Sequence, residues 1–161
     1  MANVKGYSGI QIALHWGILL LLVVSYFSSD AMKSAWSGLH QGRDNFGTVA
    51  AAHVWVGVTV LALMAMRVGL RLLRGAPGLP EGGNPKLDKI AKLTHLGLYV
   101  ILILLPVAGL SAWFGGVEAA GDVHEILFNL GMALVVLHTA GAFYHQLVLK
   151  DGLMARMKRP G

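Results

Sequence analysis

The amino-acid sequence predicts an all-α integral-membrane four-helix bundle. Three observations carry that reading. Of the 161 residues, 55% are hydrophobic and only 13% are charged, a balance outside the range of ordinary soluble domains. Four runs approach the roughly 20 apolar residues that a bilayer-spanning helix needs. The basic residues, finally, gather on alternate connections between those runs, as the positive-inside rule requires of a multi-pass protein.

The first run, about 9–27, reads GIQIALHWGILLLLVVSYF. Lys5 precedes it, which raises the alternative of a secretory signal. No clear small-residue cleavage site follows, however, and His15–Trp16 would be out of place in a signal's apolar region. The segment 28–47 is expected to hold a short interfacial helix around 32–39. The second run, about 48–70, is rich in Ala, Val and Leu. After it comes GAPGLPEGGNPKLDK, whose Gly and Pro residues cannot continue a helix. The third run, about 96–114, contains Pro106 and Gly109, a pair expected to kink it. A short outer loop, about 115–121, leads to the fourth run, about 122–149. Backbone groups in lipid must satisfy one another, so all four runs are expected to be helices of one compact unit over 1–161.

Four passes put both termini and the connection between the second and third helices on one side. That side carries Lys5, Arg67, Arg71, Arg74, Lys86, Lys89, Lys92, Lys150, Arg156, Lys158 and Arg159, against Lys33 and Arg43 on the other. The expectation is a multi-pass membrane protein with both termini cytoplasmic. The basic excess therefore reads as topology, with no nucleic-acid partner. There is no cysteine, which excludes disulfides, thiolate-held iron–sulfur clusters and covalent Cys-x-x-Cys-His haem attachment.

Of the five histidines within the apolar runs, His145 lies at the inner end of the fourth, which leaves four at depths where an imidazole is costly without a partner. His124 and His138 lie 14 residues apart on one helix, so they share a face about 21 Å apart along the axis. His15 lies toward the inner end of the first helix and His53 near the outer end of the second. Depth pairs His15 with His138 and His53 with His124, giving two bis-imidazole haem sites stacked along the membrane normal. Gly131, midway between His124 and His138, would let flat macrocycles lie against the helix, or simply serve helix packing, which also uses small residues. Gly57 and Gly141 would leave room beside a ring. A hydrogen bond to a neighbouring helix explains any single buried histidine as well. Zinc or non-haem iron would usually call for carboxylates or thiolates, which these depths lack.

LHW in the first helix, AHVWVG in the second, and HEILFNLG with LHTAGAFYH in the fourth resemble the bacterial cytochrome b561 family. MRVGLRLLRG and THLGLYVILILLPVAGL fit it as well, so the similarity covers nearly the whole chain. The resemblance implies two b-type haems, with His15, His53, His124 and His138 as axial ligands, and electron exchange with the quinone pool. One activity in the family is superoxide oxidation at an outer site, with ubiquinone as the inner acceptor. The loop between the third and fourth helices is shorter here than in that member, which puts the outer site's shape in question.

Arg67, Arg71 and Arg74 end the second helix, where they could meet haem propionates or lipid phosphates, or serve only as topology anchors. Arg43 is the candidate for drawing an anionic substrate to the outer face. His95 and His145 lie toward the inner interface, where each could hydrogen-bond a quinone carbonyl and relay protons, or simply contact headgroups. His40 is expected to be solvated, and the methionines to serve packing. The expected function is electron transfer from an outer-face donor, superoxide foremost, to ubiquinone through two haem b groups. The alternatives are an electron-transfer subunit of a peripheral dehydrogenase or hydrogenase, and a haem-free membrane interaction or assembly protein.

Overall fold

A computed structural model of the chain describes residues 6–43, 46–78 and 84–161. Lys5 and residues 79–83 of the inner loop, which entered the topology and loop arguments above, lie outside the described residues. Four long helices run up, down, up and down: α1 Gly9–His40, α2 Thr48–Arg74, α3 Pro85–Gly115 and α4 Glu118–Tyr144. All four are long and apolar enough to cross a membrane. Among the described residues there is no strand.

Local chemistry sets the ends. Ser8 caps α1 in a reciprocal capping box with Gln11. Asn84 caps α3 by accepting the Lys86 N–H, and Pro85 takes the first helical position, where its missing N–H costs nothing. Gly116, at φ 63°, turns the chain left-handed and leaves only Gly116 and Val117 between α3 and α4. The outer loop is thus tighter than the sequence suggested.

The separate interfacial helix expected around 32–39 is instead the continuation of α1, which runs unbroken through His40. Neither Gly nor Pro interrupts 28–37. The Ser28 hydroxyl returns to the Val24 and Ser25 carbonyls at 2.9 and 3.0 Å, so the serine pair does not break the ladder. At the other end, α4 passes into a π-helical turn, His145–Leu149, and then a 3₁₀ turn, Leu153–Met157.

Consecutive helices pack as neighbours, and the apolar centre lies among α1, α2 and α3, where Ile18, Val60 and Met64 are buried. Met64 is a packing residue, as expected. Outward-facing apolar side chains remain exposed (Phe27 78%, Leu20 64%, Val136 64%), which suits a surface solvated by lipid rather than water. Both chain ends meet at one end of the bundle. The Gly161 N–H donates to the Tyr7 carbonyl at 3.3 Å, the Trp16 indole N–H to Met157 O at 2.8 Å, and the Arg156 guanidinium to Gly78 O at 2.7 Å. The last dozen residues therefore fold back beneath α1 and the inner loop.

Candidate functional site

The helices bring the four intramembrane histidines together in two pairs. The ring centroids of His15 and His138 are 6.1 Å apart, and those of His53 and His124 6.3 Å apart. An imidazole nitrogen binds a metal at about 2 Å and lies roughly 1.1 Å from its own ring centroid. Two rings gripping one metal from opposite sides therefore stand about 6.2 Å apart, centroid to centroid. Both pairs meet that span. His95 lies 5.0 Å from His138, more than an ångström short of it, and so is a neighbour of the inner pair rather than a co-ligand.

At the outer pair, hydrogen bonding fixes which nitrogen is available. The His124 Nδ1 lies 2.8 Å from the Leu105 carbonyl. The His53 Nδ1 lies 3.1 Å from the Ser25 carbonyl and 3.0 Å from the Ser28 hydroxyl. A carbonyl only accepts, so Nδ1 carries the hydrogen in both rings and Nε2 keeps its lone pair. That is the arrangement in which metal-binding histidines are usually held. Gly109 completes the support. A Cβ there would lie 2.8 Å from the His124 Nδ1 and 2.9 Å from its Cε1, so α3 needs a glycine to admit the ring.

The inner pair is supported differently. Arg67 donates to the Gln11 carbonyl at 3.0 Å and brings its other terminal nitrogen within 3.4 Å of the His15 Nδ1. Arg67 and Arg71 also lie 5.9 and 5.4 Å from the Tyr99 ring centroid, a cation–π arrangement. Arg67 thus turns into the bundle against α1 and α3, close to the inner histidines, whereas Arg71, beside the Tyr99 ring, and Arg74 are exposed at the end of α2. His145 follows α4 directly. Its Nδ1 lies 2.5 Å from an Asp151 carboxylate oxygen, and the other oxygen accepts the Leu153 N–H at 3.0 Å. Burial pushes the Asp151 carboxyl up, but the hydrogen bonds from His145 and Leu153 outweigh it and hold the group below its ordinary value.

Gly131 is explained by packing: it is buried, and a Cβ there would meet the Ile101 methyl at 3.1 Å, so the face assigned to a macrocycle is occupied by α3. At Gly57 and Gly141 no atom lies within 4 Å of the built Cβ. His40 is engaged, through the Trp36 carbonyl at 2.9 Å and Glu118 at 3.2 Å. Arg43 is exposed past the end of α1, where its guanidinium meets the Gln41 side chain.

Residues 6–160 match the family described as prokaryotic cytochrome b561. The chain belongs to that family. Among curated relatives, cytochrome b562 of Cereibacter sphaeroides is 37% identical over 160 residues and 99% of both chains. The probable superoxide oxidase CybB of Yersinia pestis is 28% identical over 95% of this chain and 96% of its own. Cytochrome b561 homolog 1 of Escherichia coli K12 is 24% identical over 94% and 96%. Membership makes the protein a multi-pass membrane b-type cytochrome that works in electron transfer. The donor set fits haem b: paired imidazoles at metal-spanning separation, without thiolates and, among the described residues, without a cluster of three or more His, Asp and Glu suited to another metal.

Sequence reasoning missed Ser25, Ser28, Leu105, Gly109 and Asp151. Only Gly109 carried a local signal. It was read as part of a kink with Pro106, whereas the structure uses it for ring clearance.

Proposed function

We propose that the protein is a dihaem cytochrome that carries electrons from an outer-face donor, superoxide foremost, to ubiquinone at the cytoplasmic side. The observation that carries the reading is the pairing of His15 with His138 and His53 with His124 at 6.1 and 6.3 Å. Haem, when bound, supplies an iron that accepts and releases one electron at a time. His15 and His138 would hold the inner group, and His53 and His124 the outer one. The carbonyls of Ser25 and Leu105 orient the outer rings, and Gly109 clears space for one of them. Arg67 and Arg71 offer positive charge for inner propionates. With both imidazoles of each pair committed to holding a haem, substrates would exchange electrons with it without themselves binding the iron.

Under the positive-inside rule the basic end, with both termini, faces the cytoplasm. His95 and His145 lie toward that end and are the groups proposed to meet the quinone. Each superoxide gives up one electron and leaves as dioxygen, so two are consumed, with two protons, for every quinol formed. Arg43 is the proposed attractor for the outer anion. Similarity to the probable superoxide oxidase CybB supports superoxide. Against it, the match to CybB spans 174 positions on a 161-residue chain, whereas the match to cytochrome b562 spans 160.

Haem quantification and reduced-minus-oxidised spectra on the purified protein and each His→Ala variant test the reading. Two haems are expected, with His15→Ala or His138→Ala depleting one and His53→Ala or His124→Ala depleting the other. Unchanged haem content in all four variants defeats it. Reduction of a short-chain quinone by the purified chain with superoxide would assign the donor. Activity that returns only with a co-purifying dehydrogenase would give that role to a partner.

A further inference from the structure

We propose that Asp151 is a positioning residue for His145, fixing that ring so that its Nε2 can deliver a proton to a quinone carbonyl. The inference rests on the quinone reading above and deepens it. His145 opens the π-helical turn after α4. π turns are rare and often mark functional positions, because the widened turn re-aims a side chain. The chain then reverses through two left-handed residues, Lys150 at φ 51° and Gly152 at φ 73°. That reversal brings Asp151 back onto the ring it has just passed.

A carboxylate accepts at both oxygens. Oδ2 takes the His145 Nδ1–H at 2.5 Å and Oδ1 takes the Leu153 N–H at 3.0 Å, so the acid is held from two directions. The side chains are largely withdrawn from solvent, at 17% exposure for His145 and 19% for Asp151. With Nδ1 committed, Nε2 is the nitrogen left to meet a ligand, and the carboxylate balances the ring's charge while a proton passes through. The rest of the tail is anchored as well. Beyond Asp151 it is tied at Met157 to Trp16, whose ring packs 5.1 Å from that of His15, and at Arg156 to Gly78 of the inner loop. Quinone takes up two electrons and two protons to become quinol. His145 would hand one proton from Nε2 to a quinone oxygen and recover it from cytoplasmic water.

The test uses the haem-loaded protein, fully reduced, and measures its reoxidation by a short-chain ubiquinone and by ferricyanide, which accepts an electron without a proton. Asp151→Asn is expected to lower the maximal quinone rate at least tenfold, with the quinone KM changed by less than about twofold. Ferricyanide rates and haem content should be unchanged. His145→Asn should match it, the double variant should be no slower than either single one, and Asp151→Glu should recover part of the rate. If His145→Asn is impaired and Asp151→Asn is not, the positioning role is overturned while the quinone reading survives. Normal quinone kinetics in His145→Asn overturn the proposal but leave quinone as the acceptor, whereas wild-type protein reoxidised by ferricyanide and not by the quinone sinks the quinone reading itself. Loss of haem or of the ferricyanide rate in Asp151→Asn and in Asp151→Glu would make the aspartate structural and overturn the proposal.

Discussion

Gly109→Ala isolates the support of one histidine from the stability of the helix that provides it. The new Cβ would stand 2.8 Å from the His124 Nδ1, where ordinary contact begins at 3.4 Å. The ring must therefore retreat by about 0.6 Å, roughly three times the tolerance of about 0.2 Å expected at a metal site. Retreat also stretches the 2.8 Å bond from Nδ1 to the Leu105 carbonyl to about 3.4 Å, past the useful range of an N–H···O bond. Alanine in mid-helix is meanwhile favoured over glycine by about 1 kcal/mol, so α3 itself should not weaken. We expect the outer site's haem affinity to fall on the order of 10- to 100-fold, the usual cost of disturbing a ligand's support. The inner haem should remain. Haem-to-protein ratio and low-temperature EPR read this directly: one low-spin signal fades and the ratio drops from two toward one. Two haems with both signals unaltered would refute the reasoning.

Ser28→Ala removes one of two acceptors at the His53 Nδ1, leaving the Ser25 carbonyl at 3.1 Å. The ligand becomes less electron-rich, so a redox titration should show the outer midpoint moving to higher potential with haem content intact; a shift confined to the inner haem would contradict the assignment. Gly131→Ala meets the Cγ2 methyl of Ile101 at 3.1 Å, a contact relieved by a shift of a few tenths of an ångström, and both haems should stay bound. Haem loss in that variant would restore the macrocycle role that the sequence suggested for Gly131. The Asp151 carboxyl is held below its ordinary 3.8. Its contribution to docking the tail is therefore complete above that value and lost as pH falls through the lower folded one. Hydrogen exchange over 150–161 should stay protected at pH 5 and open only in stronger acid; opening between pH 5 and 7 would deny the dyad that role.

The helix count, the side carrying the basic residues and the depth matching of the histidines were legible because each depends on one segment at a time. A run of apolar residues marks a span whatever its neighbours are, and a 14-residue spacing places His124 and His138 on one face without any knowledge of α3. The end of α1 was less legible. Leaving the hydrophobic stretch at Phe27 changes polarity, but nothing from Ser28 to Ser37 stops a helix. Polarity reported the membrane boundary there, and the backbone ran past it.

What could not be read depends on the rotation of one helix against another. Gly131 and Gly109 look alike in sequence, each a glycine in an apolar helix. Gly131 faces the Ile101 methyl, whereas Gly109 faces the ring of His124, and only the rotation of α3 against α4 separates packing from ligand support. The same holds for the acceptors. Any residue offers a carbonyl, so no side-chain pattern marks Leu105 or Ser25 as partners of His124 and His53. Arg67 shows the converse: its charge was conspicuous in the sequence, but its contacts with the Gln11 carbonyl and the His15 ring were not. Which histidines share a depth in such a bundle can be read from single helices, while the groups that orient their rings become visible only once the helices are set side by side.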